Sequence, residues 1–148
     1  MSTFSSVSGL GGNQAINNVD VAKIFLRDNR YQEVNELNNS TYDPLTLSAG
    51  TAMGRVTATG NLAPLNTGAS DGSQFFVGIL AQDMELDAGE TKKATIVDGG
   101  DVAEDKVIFF YANQGLETVV GSRRMRDNIQ AQGIKLIARI EMTQNDNQ

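Results

Sequence analysis

Apolar and polar positions alternate in short runs along most of this chain, and turn residues separate the runs. Val19, Val21, Ile24 and Leu26 predict a first strand with a bulge near Ala22–Lys23. Residues 27–43 are mostly polar around Tyr31 and Val34, which predicts a long loop or a short irregular strand. Pro44 holds Asp43 extended. Leu45–Leu47 then reads as a short strand stopped by Ala49-Gly50, and 52–58 as another stopped by Thr59-Gly60-Asn61. The polar stretch 66–73 predicts a turn-rich loop. Phe75–Leu80 is apolar on both faces, the pattern of a strand covered on both sides, and Gly78 inside it predicts a bulge or a close backbone approach.

Further on, 92–97 and 106–112 read as two strands around Asp98-Gly99-Gly100-Asp101, where paired glycines allow a tight turn. Residues 117–121 add a short strand. The clearest helix is 123–132: Ser122 is its N-cap, Met125 and Ile129 share one face, and Gly133 ends it. A period-two strand follows through Leu136, Ala138, Ile140 and Met142. Short strands at this spacing predict a mainly β fold, a small barrel- or sandwich-like domain over 19–142 with one short C-terminal helix. Residues 143–148 read as a frayed tail.

The first eighteen residues differ in texture. They are rich in Ser, Gly and Asn, with isolated apolar residues at Phe4, Val7, Leu10 and Ile16. Such a segment buries too little apolar surface to offset its ordering entropy, so 1–18 is expected to be a flexible arm when alone. An arm of this kind can order on a partner by adding a strand to a sheet edge.

Composition narrows the chemistry. At 148 residues, one domain is favoured. With no His, the commonest general base and metal ligand is missing; with no Cys, so are thiolates and disulfides. Ser-His-Asp, Cys-His and zinc sites are excluded on that ground. The net charge of −6 is carried by 83–105, where eight carboxylates face only Lys92 and Lys93, while 1–19 has no charged side chain. An acidic chain repels phosphate backbones, so no nucleic-acid partner is expected. The lack of a long apolar run argues against a membrane partner, and the N-terminus lacks a signal-peptide pattern, which points to synthesis in a cytoplasm.

Three constellations remain as candidate sites. Asp83, Glu85 and Asp87 would share one face of a strand, an arrangement that could hold calcium or run carboxylate hydrolysis; a solvated acidic edge is the simpler reading. Asp98, Asp101 and Asp105 lack calcium-loop spacing and read as a turn, and Gly9, Gly11 and Gly12 make no phosphate loop. Arg123, Arg124 and Arg126 sit at the unfavourable end of the helix dipole, which leaves a solvated face or an interface. No catalytic residue, cofactor or metal site is expected.

Residues 43–80 carry a resemblance. Ser70-Asp71-Gly72-Ser73-Gln74 leading into Val77-Gly78-Ile79-Leu80, with Met53-Gly54 and Thr57-Ala58-Thr59-Gly60 upstream, resembles the lambda-type phage head decoration proteins, or capsid cement proteins. The likeness extends more loosely over 19–142. It implies a non-enzymatic homotrimer on the outer surface of the expanded virion capsid. There it would bind the major capsid protein and stabilise the shell, using an N-terminal arm that orders on binding. The arm varies widely in that family, so no contact residue carries over. Alternatives are another phage structural role, such as a tail or head-fibre adaptor, or a calcium-binding or hydrolase module on Asp83, Glu85 and Asp87.

Overall fold

A computed structural model describes residues 23–138; the arm 1–18, residues 19–22 of the strand expected from Val19 to Leu26, residues 139–142 of the expected last strand and the tail 143–148 lie outside the described residues. Two long strands frame the fold. β1 (Phe25–Asn38) runs antiparallel to β7 (Thr91–Ala103), with Phe25 opposite Val102 and Asn38 opposite Thr91. Between them in sequence come β2 (Leu45–Leu47), β3 (Ala52–Arg55), β4 (Leu62–Pro64), β5 (Phe76–Leu80) and β6 (Met84–Leu86). Pairing runs β1-β4-β3-β5-β7, and β7 returns to β1, so five strands close a barrel without a free edge among them. β2 and β6 form a separate antiparallel ribbon.

Alternation sorts the apolar residues into two layers. Leu37, Leu62, Met53, Leu80 and Ile96, one from each barrel strand, form one cluster with Leu45, Leu47, Met84 and Leu86 of the ribbon. Their neighbours Ala52, Ile79, Val97 and Val102 point the other way and pack under Met125 and Ile129. Those two come from the helix α1 (Met125–Ala131), which is followed by β10 (Ile134–Ile137) running parallel to β7. Both faces of β5 are therefore covered, as its apolar run predicts. The bulge at Gly78 is present: two β5 residues, Phe76 and Gly78, oppose consecutive β3 residues Gly54 and Met53 across a register shift. A side chain at Gly78 would meet Ile96 Cδ1 at 2.8 Å.

The mainly β fold with a barrel and a short helix near the C-terminus is as expected, but several elements are not. The stretch 27–43, expected as a long loop or a short irregular strand, holds most of β1, which is irregular but long. Its polar side chains bond across to β7: Arg27 donates to Asp101 at 3.2 Å, and Arg30 and Gln32 each donate to Asp98 at 2.9 Å. Register shifts between Phe25 and Asn35 break the alternation that would have marked it as a strand.

Nor do Gly99 and Gly100 make a turn; they lie inside β7. They serve close approach instead, since a side chain at Gly100 (φ +98°) would meet the Asp28 carbonyl at 2.5 Å, and one at Gly99 would meet the Arg30 guanidinium at 2.9 Å. The helix starts two residues later than expected. Arg124 is its N-cap and makes no side-chain cap bond, because Arg123–Arg124 (β9) pairs with Val119–Val120 (β8) and leaves Ser122 in the intervening turn. β3 ends at Arg55 rather than at residue 58, and β4 was not foreseen. The run 106–112 is no strand: only Ile108 makes a bridge, parallel to Thr51.

Candidate interaction surface

Of the carboxylates singled out as possible catalytic or cation ligands, Asp83, Asp98 and Asp101 have structural work. Asp83 accepts the Ala49 amide at 2.8 Å, which ties the end of β2 to the start of β6. Glu85 is the outward residue of β6, and Asp87 lies beyond that strand, so the shared strand face is not formed. Asp98 and Asp101 hold β1 through arginines, while Asp105 lies in the 3-10 turn Glu104–Lys106. Among the described residues no group of three or more Asp or Glu could hold a metal ion. No helix among them is long and apolar enough to cross a membrane.

The arginine cluster is largely turned inward on the chain itself. Arg126 donates to both Glu104 oxygens, at 2.8 and 3.2 Å, and to Glu117 at 3.0 Å; Arg124 reaches Glu117 at 2.9 Å. The guanidinium of Arg126 holds the Glu104 carboxyl below the usual glutamate range, and the two glutamates in turn raise Arg126. Two of the three arginines thus clamp the helix start to the 3-10 turn and to the loop at 115–118.

The turn motif is a fold device. Asp71 Oδ1 accepts the Ser73 hydroxyl at 2.6 Å and the Ser73 amide at 3.0 Å, and both bonds lower the Asp71 pKa. The Thr57 amide donates to the Asp71 carbonyl at 2.8 Å, and the Asn66 amide to the Ser73 carbonyl at 3.0 Å. The loop is thereby laid over the β3–β4 connection. Gly72 (φ +108°) leaves no room for a side chain, which would strike Thr57 Oγ1 and the Arg55 carbonyl. Ser70 is exposed at the start of the turn; Val77 is half-buried, and Gly78, Ile79 and Leu80 are buried in β5. None of these buried positions is available to a partner. The arm residues Phe4, Val7, Leu10 and Ile16 lie outside the described residues.

One surface went unnoticed in the sequence. Residues 107–116 carry no charge, and hold Phe109, Phe110 and Tyr111. The segment is pinned at both ends. The Ile108 amide donates to the Gly50 carbonyl at 2.9 Å, and the Ala52 amide to the Ile108 carbonyl at 2.8 Å. Further on, Gln114 donates to the Leu65 carbonyl at 2.7 Å and accepts the Thr67 amide at 2.9 Å. Val107 and Phe109 pack inward, while Ile108, Phe110 and Tyr111 stay about 40% exposed. The Phe110 and Tyr111 rings meet edge to face, 5.0 Å apart. They form one wall of a groove lined also by Asn39, Thr41, Pro44 and Pro64, beside the fully exposed Tyr42. The apolar-polar pattern announced a strand here and, in doing so, hid a surface.

Comparison with curated proteins and with solved structures finds no match for the chain. A family model does match, that of the bacteriophage lambda head decoration protein D, over residues 15–115. The match takes in all five barrel strands, the β2–β6 ribbon, the Ser70–Gly72 turn and most of the exposed segment. It covers more than half of the chain, and so this protein belongs to the bacteriophage lambda head decoration protein D family.

Proposed function

We propose that this protein, a member of a family of structural capsid proteins and not of enzymes, sits on the outer surface of the expanded head as a homotrimer, binds the major capsid protein and stabilises the shell. The observation that carries this reading is the family match over 15–115. The absence of charge from residues 1–19 supports the arm as the capsid contact. An extended arm of eighteen residues reaches up to about 60 Å. Phe4, Val7, Leu10 and Ile16 are its candidate contacts.

Each arm loses conformational freedom only when it binds. Three arms on one trimer raise the effective concentration of the second and third contacts, multiplying avidity by ~10²–10⁴. No bond chemistry is involved. The acidic body keeps the unbound protein soluble and away from nucleic acid.

Deletion of residues 1–18 tests the arm. The truncated protein is expected to keep its circular dichroism and its solution mass while losing at least about 100-fold in affinity for expanded heads in a sedimentation assay. Binding and shell stabilisation at full strength would refute the arm assignment. Gold-labelled protein found only on tails would place it elsewhere in the virion.

A further inference from the structure

The segment 107–116 has the composition of a strand and yet lacks a partner strand. Beyond Ile108, the amides and carbonyls of Phe109, Phe110 and Tyr111 make no hydrogen bond among the described residues. The five barrel strands satisfy one another by closure, so this unpaired stretch stands apart from them. Past Ile108 the backbone bends at Phe110 and Tyr111 and turns at Ala112–Asn113, so what it offers a partner is side-chain area with a few unmade backbone bonds and not a regular strand edge. It presents Ile108, Phe110 and Tyr111 outward. Water solvates that backbone in the free chain, while the rings remain in contact with water at a hydrophobic cost.

We infer that the face formed by Ile108, Phe110, Tyr111 and the adjoining Pro44–Pro64 groove is where one copy of this chain meets the next. Charge decides in favour of a second copy. Each copy carries −6, so copies repel unless their contact face is neutral. Residues 107–116 hold no charged side chain, and Asp43 is the one charged residue lining the groove. Aromatic enrichment with depletion of charge is the composition of an interface core. The face is also rigid: its ends are held by the Ile108 bridge and by Gln114, so little ordering is needed on contact. This inference deepens the trimer part of the proposed function and leaves the capsid to the arm.

The test compares the full-length protein with Phe110→Ser and Tyr111→Ser, singly and together, and with Val119→Ser as a control at an exposed apolar residue elsewhere. Solution mass by light scattering across a dilution series is read beside circular dichroism. Each ring removed is expected to raise the dissociation constant by about 30-fold or more, with the spectrum retained, while Val119→Ser dissociates like the wild type. An unchanged mass in the double variant, or equal dissociation by Val119→Ser, overturns the inference.

Hydrogen exchange on the unmodified protein guards against a variant that fails to fold. The amides of 109–111 should be protected at high concentration and exposed on dilution. Protection independent of concentration would mean that the chain covers this stretch itself. Protection seen only on heads would mean that the capsid does. Either result, or a wild type that stays monomeric throughout, removes the self-contact. Sedimentation with expanded heads is scored separately. An oligomer that fails to bind heads sinks the capsid reading and leaves this inference standing.

Discussion

Gly72 and Gly89 both adopt left-handed backbone, with φ of +108° and +75°, in very different surroundings. A side chain at Gly89 meets nothing within 4 Å, whereas one at Gly72 collides with Thr57 and with the Arg55 carbonyl. Backbone strain alone costs ~1–3 kcal/mol, and overpacking a closed site adds ~1–3 kcal/mol. Gly72→Ala is therefore expected to destabilise the protein by ~2–4 kcal/mol in urea titration, against ~1 kcal/mol for Gly89→Ala. Equal shifts would show that the packing of the turn onto Thr57 is unimportant. The turn itself was readable in the sequence, because an Asp two residues before a Ser offers a local bond to the backbone. The collision was not, since Thr57 is brought against Gly72 by the β3–β4 hairpin.

At the scale of elements, α1 shows how little its own sequence supplies. It has seven residues and no side-chain cap bond, too short to persist alone. Burial of Met125 and Ile129 and the ion pairs of Arg126 hold it in place. Arg126 grips two carboxylates through a planar fork that a lysine cannot reproduce. With Glu117 well exposed, the network is worth little: Arg126→Lys should cost ~0.5–1 kcal/mol in thermal melts, with the gap to wild type narrowing as salt rises toward about 1 M. A salt-independent loss would point to packing of the side-chain stem instead. The spacing of Met125 and Ile129 made the helix visible. The long strands were less so, because β1 is polar and bulged, and because Gly99-Gly100 looks the same in a turn as at a close strand crossing.

For the molecule as a whole, β5 matters most because it serves both apolar layers. Ile79 faces α1 while Leu80 belongs to the cluster with Leu37 and Leu62. A core shared in this way should unfold as one unit. Leu80→Ala and Ile129→Ala are each expected to cost ~2–5 kcal/mol, with far-ultraviolet and near-ultraviolet transitions remaining coincident. A helix that melts ahead of the barrel in Ile129→Ala would separate the two layers.

The sequence by itself determined the β-rich character, the turn chemistry at Ser70–Gly72, the place of the helix, the uncharged first nineteen residues against an acidic remainder and the lack of His and Cys chemistry. These follow from residues near one another in the chain, where periodicity, φ preference and charge act directly. Only the tertiary structure decided that five strands close, that Gly100 sits against Asp28, and that a strand-like run at 106–112 keeps a single bridge, at Ile108. Each of these depends on which backbone edges meet across many residues of intervening chain. An apolar alternation predicts extended backbone, but whether that backbone is paired within the fold or left facing outward is a matter of long-range contact alone.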